Sequence, residues 1–196
     1  MDFLVVNKLI STKQRGFVRR KACVTNLLET LDLISSKLAA GECVDLVFLD
    51  FLKAFDTVPH RRLLKKLRSY GVSGKLYEWF KSFLFNRRQR VILGDCVSDW
   101  SEVKSGVPQG SVLGPLLFVI YINDLPEAVD CECKMYADDS KLISVTLDAL
   151  NGIQSDIDAV TSWTKDWLMR LNASKCKVMH LGKNNSRIYY EIEDVR

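Results

Sequence analysis

Two adjacent carboxylates, Asp138 and Asp139, stand between short apolar runs in the second half of the chain. Side chains alternate faces along a strand, so both acids can be presented together only at a tight turn between two strands. Unpaired acids about 4 Å apart repel each other by roughly 1–4 kcal/mol, and hard divalent cations prefer carboxylate oxygen. The pair therefore predicts a β-hairpin tip, which is either an ordinary solvated turn or part of a metal site.

A third carboxylate, Asp50, follows residues 44–49 (VDLVFL), whose branched and aromatic side chains predict a buried strand. The end of a core strand is where α/β sheets place their ligands, although an ordinary turn acid is equally consistent with this position. If Asp50 meets Asp138 and Asp139 at one sheet edge, the three acids could hold two metal ions about 3.5–4 Å apart. Such ions stabilise the attacking and leaving oxygens of an in-line phosphoryl displacement.

Basic side chains accompany these acids in two segments of the chain. The residues expected to contact nucleic acid are Arg19, Arg20, Arg87, Arg88 and Arg90. Arginine and lysine supply the donors that phosphate oxygens need, although a charge run such as residues 13–21 (KQRGFVRRK) is also typical of a solvated loop. Residues 105–111 (SGVPQGS) form a shaped glycine–proline loop that leads into an apolar helix, whose N-terminus could meet a phosphate or a base.

The overall composition restricts the function only broadly. The chain has 196 residues, 47% of them hydrophobic, and a formal net charge of +4, which favours a folded domain without establishing a nucleic-acid partner. No apolar run approaches the roughly 18–20 residues of a membrane span, and the N-terminus lacks the features of a signal peptide. Six cysteines without paired CxxC spacing make a structural zinc site unexpected. We therefore expect reduced thiols in an intracellular protein, in the nucleus or the cytoplasm.

Hydrophobic periodicity predicts helices alternating with short strands around the acids. The expected helices are residues 25–40, 57–70, 74–85, 112–125 and 147–171, and the further strands are residues 91–93, 97–103, 178–181 and 189–193. The first helix carries an apolar stripe of Leu27, Leu28, Leu31, Ile34 and Leu38. Lys66 is expected on the outer face of the second helix, and the third is expected to bury Leu76, Trp79, Phe80 and Phe83. The chain is therefore predicted to be α+β, with a small antiparallel sheet backed by helices.

Several of these stretches occur in a recognisable order. They are residues 48–51 (FLDF) with 54–60 (AFDTVPH), 106–116 (GVPQGSVLGPL), 122–125 (INDL), 136–139 (YADD) and 172–181 (NASKCKVMHL). In this order and at this spacing the sequence closely resembles the reverse transcriptases of non-LTR retrotransposons, of the LINE type, with jockey-like elements nearest. The resemblance runs from about residue 10 to about residue 182, and it implies a right-handed polymerase palm with partial fingers.

The resemblance implies a metal site at the acids. Asp50 and Asp138 would be the main ligands of two catalytic Mg²⁺ ions, for which Mn²⁺ could substitute. Asp139 would complete the acidic cluster, and Phe51 would add a further metal contact.

The resemblance also implies a nucleotide site. Phe55 matches the aromatic residue that blocks a ribose 2′-OH, the alternative being a core phenylalanine. Gln109 and Gly110 would line the incoming nucleotide and the templating base pair. Lys175 matches a lysine that helps to neutralise or protonate the pyrophosphate leaving group, the alternative being a turn lysine that faces water.

The sequence departs from the family pattern at two places. Residues 16–22 (GFVRRKA) stand where the family carries Gly-Phe-Arg, a basic residue, Gly, Arg and Ser. Lys21 or Arg20 would have to replace the displaced arginine that binds the nucleotide phosphates. Because lysine is a point charge and not a forked donor, weaker nucleotide binding is expected. Leu52 stands where a serine is usual.

The resemblance implies a polymerase core without the other domains of a retroelement protein. Residues 1–43 would be partial fingers, residues 44–182 the palm with an inserted fingers hairpin at about 86–104, and residues 183–196 the start of the palm–thumb connection. Other retroelement domains, including a thumb and an endonuclease, are expected to be missing from this chain.

The expected function is RNA-directed DNA synthesis, in which a primer 3′-OH attacks a dNTP on an RNA template and no membrane takes part. The alternative is a truncated, non-catalytic retroelement remnant that folds and binds RNA. A group II intron-type or telomerase-like relative is a more distant reading.

Overall fold

The computed structural model describes residues 2–146 and 152–192. Its helices are α1 (Asp2–Val6), α2 (Cys23–Ala39), α3 (Ala54–Thr57), α4 (His60–Ser69), α5 (Gly74–Leu84), α6 (Leu113–Ile122) and α7 (Gly152–Trp167). Its strands are β1 (Cys43–Leu49), β2 (Arg88–Gln89), β3 (Ile92–Leu93), β4 (Cys96–Val97), β5 (Ser101–Glu102), β6 (Glu132–Tyr136), β7 (Asp139–Thr146) and β8 (Lys177–Leu181). A short 3-10 helix, Leu125–Glu127, follows α6.

A four-stranded antiparallel sheet of order β6-β7-β1-β8 positions the acids. β1 lies between β7 and β8, and the side chains of Val44, Leu46, Val47 and Leu49 are buried, which explains its run of branched and apolar residues. Val47 and Leu49 join the main core with residues of α4, α6 and α7. On the other face, Val44 and Leu46 pack with Ile34 of α2. Helices therefore cover both faces of the sheet, which confirms the α+β prediction.

The predicted first helix is confirmed, but its apolar stripe is mostly exposed. Of the five stripe residues only Ile34 is buried, and α2 instead buries the polar side chains of Asn26 and Thr30. Thr30 satisfies its hydroxyl by donating to the Asn26 carbonyl, and the Asn26 amide donates to the Met135 carbonyl of β6. The helix is therefore oriented by polar contacts to the sheet as well as by its apolar residues.

The expected position of Lys66 is wrong. Its side chain is only 6% exposed, with the ammonium 2.5 Å from Asp124 Oδ1 and also donating to the Tyr121 carbonyl. The rings of Tyr121, Trp163 and Trp167 surround it, with centroids at 5.0, 5.3 and 3.7 Å. Aromatic faces and a carboxylate thus compensate the buried charge, and helical periodicity cannot reveal that arrangement.

The expected burial of Leu76 and Trp79 in α5 is also wrong, because they are 55% and 49% exposed. Phe80 is buried as predicted, Phe83 is half-buried, and α5 also buries Leu84. The helix therefore packs through a narrower stripe than its apolar content predicts.

The predicted hairpin at residues 91–103 is confirmed as two short ladders, β2 with β5 and β3 with β4. The predicted strand at 189–193 is wrong for the described residues 189–192, which are irregular. Side chains hold this segment in place of a ladder, because Tyr190 donates to Asp45 and the Glu191 N–H donates to Gln154.

The long C-terminal helix is confirmed from Gly152 to Trp167. Leu147 and Leu150 lie outside the described residues. Leu171 is buried but lies beyond the helix, where it bridges to Phe51. No helix in the described ranges is long and apolar enough to cross a membrane.

Candidate active site

Asp138 lies at the tip of the β6–β7 hairpin, as the sequence predicts. The ladder ends at the pair Tyr136 and Asp139, which leaves Ala137 and Asp138 to form the turn. Ala137 has φ +57°, a left-handed conformation that costs a residue with a side chain about 1–2 kcal/mol. A strained residue therefore stands immediately before the two acids at this edge of the sheet.

Asp50 reaches the same edge from the neighbouring strand. β1 pairs with β7 up to Leu49 and Ser140, so Asp50 and Asp139 are the next residues on adjacent strands. The Asn172 N–H donates to the Asp50 carbonyl at 2.7 Å, and the Asp50 N–H donates to Cys176 Sγ at 3.4 Å. These bonds fix the backbone that carries the Asp50 carboxylate.

Burial and the two neighbouring acids affect the ionisation of Asp138. Burial raises the pKa of Asp138 above its ordinary value, and the nearby charges of Asp139 and Asp50 raise it further. Asp139 is exposed and Asp50 is half-buried. Asp50, Asp138 and Asp139 therefore lie at one edge of the sheet, where the charges of Asp50 and Asp139 contribute to the raised pKa of Asp138.

The donor set of this cluster suits a hard divalent cation, which would offset the repulsion among the carboxylates. Within residues 2–146 and 152–192, no three His, Cys, Asp or Glu side chains are arranged as a ready-made metal cage. The Phe51 ring is buried against Trp163, so only its backbone carbonyl could contact a metal. The backbone bonds between residues 50–52 and 170–172 use the carbonyls of Asp50 and Arg170 and leave the Phe51 carbonyl unused. Carboxylate and backbone carbonyl oxygens at this edge are the donor types that a hard divalent cation prefers.

The expected nucleotide residues Phe55 and Gln109 lie on two segments that pack together. The Val107 N–H donates to the Phe55 carbonyl at 2.8 Å, and Gln109 Nε2 donates to Asp56 Oδ1 at 2.7 Å. Gly106 is required at this junction because a Cβ there would lie 2.7 Å from the Asp56 carbonyl oxygen.

Gly110 follows in the same loop with φ +77°. The ring of Phe55 stacks on Phe118 at 4.2 Å and meets the edge of Phe17 at 6.3 Å, so it is held rigidly while remaining half-buried. The loop at residues 105–111 and α3 are thus packed together as one unit.

Lys175 is exposed in the turn after Asn172, whose N–H contacts the Asp50 carbonyl. Lys175 is thus three residues after Asn172, which bonds to Asp50, and among the described residues no hydrogen bond or ion pair joins its side chain to the acids. Lys21 and Arg20 are exposed, and Arg20 adopts φ +63°. They follow a segment that pairs with β6, where the Arg15 N–H donates to the Met135 carbonyl at 2.9 Å.

The arginines of the β2–β5 hairpin are not joined to the acids. The guanidinium of Arg90 lies 4.6 Å from the centroid of the Trp100 ring, while Arg87 and Arg88 lie at the base of the hairpin. Among the described residues no hydrogen bond or ion pair connects these side chains to Asp50, Asp138 or Asp139.

Sequence reasoning missed Gln14, which lies directly against the hairpin turn at Ala137 and Asp138. Its side chain is buried and bonds to both the N–H and the carbonyl of Ala137. A glutamine inside a charged segment carries no hydrophobic or motif signal, so only the structure shows its position.

Three comparisons connect this geometry to known proteins. Residues 2–191 match the family model described as reverse transcriptase (RNA-dependent DNA polymerase). The chain is 31% identical over 196 residues to the RNA-directed DNA polymerase from mobile element jockey of Drosophila melanogaster, covering 90% of this chain and 21% of that protein. It is 36% identical over 157 residues to the corresponding protein of Drosophila funebris, covering 74% and 17%. The chain thus spans about a fifth of these relatives.

Solved structures agree on the fold. Telomerase from Candida tropicalis, in complex with a fragment of telomeric RNA, superposes with a TM-score of 0.70 at 13% identity, covering 94% of this chain and 33% of that one. Telomerase from Candida albicans gives a TM-score of 0.61 at 14% identity, covering 88% and 32%. At such low identity the likeness supports the polymerase palm fold alone.

Proposed function

Because this chain belongs to the reverse transcriptase (RNA-dependent DNA polymerase) family, we propose that it forms the catalytic palm of an RNA-directed DNA polymerase of a non-LTR retrotransposon. The proposal depends chiefly on one observation: Asp50 follows β1 and Asp138 and Asp139 lie at the start of the adjacent strand β7, where the charges of Asp50 and Asp139 raise the pKa of Asp138. The reaction would join a dNTP to a primer 3′-OH on an RNA template.

The acids would hold two Mg²⁺ ions, or Mn²⁺, together with the Phe51 carbonyl. Bound metal would supply Lewis-acid stabilisation to the oxygens that attack and leave during phosphoryl transfer. The protein contributes by fixing the acids beforehand. Asp50 is fixed by its backbone bonds to the turn at residues 172–176, and Asp138 by the hairpin tip.

We further propose that Phe55, Gln109 and Gly110 contact the incoming nucleotide. Stacking on Phe118 holds the Phe55 ring in place, and a fixed ring would exclude a ribose 2′-OH more effectively than a mobile one. The bond from Gln109 to Asp56 similarly limits the positions that its amide can adopt.

Basic residues would hold the phosphates. Lys175 would neutralise the departing pyrophosphate from its exposed turn near Asp50, and Lys21 would contact the nucleotide phosphates. Arg19, Arg20, Arg87, Arg88 and Arg90 would hold the RNA template and the DNA primer along their backbones.

The domain division at residues 1–43, 44–182 and 183–196 remains part of this proposal. So does action inside the cell, in the nucleus or the cytoplasm, for which the six free thiols are suitable.

Primer extension tests the proposal. A DNA oligonucleotide annealed to RNA is incubated with dNTPs and Mg²⁺, using the wild-type chain, Asp138→Asn and the control Asp158→Asn. Asp158 is an exposed acid of α7 that accepts a bond from Gln154. We expect wild type and the control to extend the primer and Asp138→Asn to lose at least about 100-fold in rate, as for loss of one preorganised electrostatic group. Equal extension by all three would refute the assignment of Asp138.

A second candidate function is RNA binding without catalysis. It is favoured by the altered segment at residues 16–22, where the family's nucleotide-phosphate arginine is displaced. Absence of extension by a folded wild-type chain, combined with salt-dependent binding of labelled RNA, would support this alternative.

A further inference from the structure

Gln14 lies beneath the hairpin turn at Ala137 and Asp138, and its side chain is buried, with the residue 1% exposed. Its Oε1 accepts the Ala137 N–H at 2.9 Å and the Gly16 N–H at 2.7 Å. Its Nε2 donates to the Ala137 carbonyl at 3.3 Å. One amide side chain therefore contacts both peptide groups of the residue that precedes Asp138.

The surrounding backbone holds Gln14 in this position. Its own segment pairs with β6, because the Met135 N–H donates to the Lys13 carbonyl at 3.1 Å and the Arg15 N–H returns a bond at 2.9 Å. A Cβ at Gly16 would lie 2.2 Å from the Ala137 nitrogen, so glycine is needed for this close approach. The segment is thus fitted to the tip of the hairpin.

The turn needs such support. Ala137 is not a glycine, yet it adopts a left-handed conformation, and strained residues persist only where their surroundings determine them. A change in Ala137 would rotate the next peptide and displace the Asp138 carboxylate relative to Asp50. The bonds from Gln14 oppose this change directly.

We propose that Gln14 is a positioning residue of the polymerase site, whose amide fixes the Ala137 peptide groups and thereby aims the carboxylate of Asp138. The inference rests on the proposed function. It also couples the basic segment at residues 13–21 to the acids, since the same segment leads directly to Lys21. Gln14 itself contacts neither metal nor substrate.

A matched pair of substitutions separates positioning from folding. Gln14→Met retains the length and burial of the side chain but removes its hydrogen bonds. Asn26→Leu is the control, because Asn26 is also a buried amide and donates at 3.2 Å to the Met135 carbonyl of the same hairpin, away from its tip. If both amides serve stability alone, both variants change the site equally.

The affinity for Mn²⁺, measured by the relaxation of solvent water protons, provides a readout that does not require polymerase activity. We expect Gln14→Met to weaken Mn²⁺ binding about 10–100-fold, as for loss of an outer-shell partner, and Asn26→Leu to leave it unchanged. In primer extension Gln14→Met should lower kcat with little change in the KM for dNTP. Equal Mn²⁺ affinity in wild type and Gln14→Met, including no binding by either, would overturn the inference.

A second variant guards against a misfolded Gln14→Met protein. Glycine adopts the left-handed conformation without strain, so Gln14→Met/Ala137→Gly should recover part of the lost Mn²⁺ affinity. No recovery in a folded double variant would also contradict the proposal. Wild-type protein that binds Mn²⁺ but extends no primer would refute the proposed polymerase activity and still leave the role of Gln14 measurable.

Discussion

Asp138 combines partial burial with two neighbouring acids, and each of these raises its pKa. Because the folded pKa lies above the unfolded one, the folded state binds the proton more tightly. Ionisation therefore costs stability as the pH rises from about 3.9, the unfolded pKa, through the folded pKa. An apolar side chain at this position would not have this pH-dependent cost.

Asp138→Asn should therefore stabilise the metal-free protein at neutral pH while abolishing activity. We expect a gain of about 0.5–2 kcal/mol in the free energy of unfolding, typical of an improved charge distribution. Urea unfolding at pH 7 and near pH 3.5 measures it, and the gain should shrink at the lower pH. Destabilisation at pH 7, relative to Asp158→Asn, would contradict the assignment.

Lys66 is also a buried charge but, unlike Asp138, it is surrounded by favourable partners. Burial lowers its pKa to about 8, although Asp124 acts against this decrease. The folded pKa lies below the unfolded value of about 10.4, so the ammonium costs stability below pH 8 and the cost is relieved as the pH rises from about 8 to 10.4.

Replacing Asp124 should lower the free energy of unfolding more than removing the charge of Lys66. Asp124→Asn should lower the free energy of unfolding by roughly 1.5 kcal/mol, because the ammonium loses its charged acceptor. Lys66→Met should be neutral or stabilising, since methionine fills the aromatic pocket without desolvating a charge, and its stability should not rise between pH 8 and 10 as that of wild type does. Urea unfolding of both variants at these pH values is the measurement. A larger loss in Lys66→Met than in Asp124→Asn would contradict this explanation.

At the scale of elements, a buried carboxylate ties the C-terminal segment to the sheet. Burial alone would raise the pKa of Asp45, but hydrogen bonds from Tyr190, Asn185 and His180 outweigh it and lower the pKa below its ordinary value. This network contributes stability above the unfolded pKa of about 3.9, and the contribution is lost as the pH falls through the folded pKa.

Removing one donor should make the protein more sensitive to acid. Tyr190→Phe should shift the midpoint of acid unfolding to higher pH and cost about 1.5–3 kcal/mol at pH 7, the range for a hydrogen bond to a charged group. Circular dichroism during acid titration measures the shift. The exposed neighbour Tyr189→Phe serves as the control, and identical midpoints for the two variants would contradict the network.

The elements around the acids could be predicted from the sequence because their signals are local. Residues 44–49 have the composition of a buried strand, and two adjacent acids can be presented together only at a turn. Other positions depend on distant partners: Lys66 is buried because rings from α6 and α7 surround it, and Gln14 because the hairpin approaches it. The segment 189–192 has strand-like composition, but side-chain bonds hold it without a ladder.

At the scale of the whole molecule, one face of α2 leaves apolar side chains uncovered. Val24, Leu27, Leu28 and Leu31 are 59%, 54%, 58% and 49% exposed. Contiguous exposed apolar surface promotes association, and the helical spacing that predicted Leu27, Leu28 and Leu31 as a stripe cannot tell which face meets the sheet.

Polar substitutions on this face should improve solution behaviour without loss of fold. Leu27→Gln/Leu31→Gln should reduce self-association and leave the melting temperature within a few degrees, because both side chains already contact water. Light scattering and thermal melting measure the two effects. Leu67→Gln, at a position that is 1% exposed, is the destabilising comparison and should cost about 2–5 kcal/mol. An equal loss of stability in the double variant would show that the face is buried in solution.

We propose that Asp50 and Asp138, at one edge of the sheet, act as one metal site. Thermal melting with and without saturating Mg²⁺ or Mn²⁺, at matched ionic strength, tests it without requiring the chain to hold a primer–template. A ligand at 100 times its Kd adds about 2.7 kcal/mol, which corresponds to roughly 5–11 °C for a domain of this size. We predict this rise for wild type and Asp158→Asn and its loss in both Asp50→Asn and Asp138→Asn. No rise in wild type, or an equal rise in the Asp50 and Asp138 variants, would contradict the account.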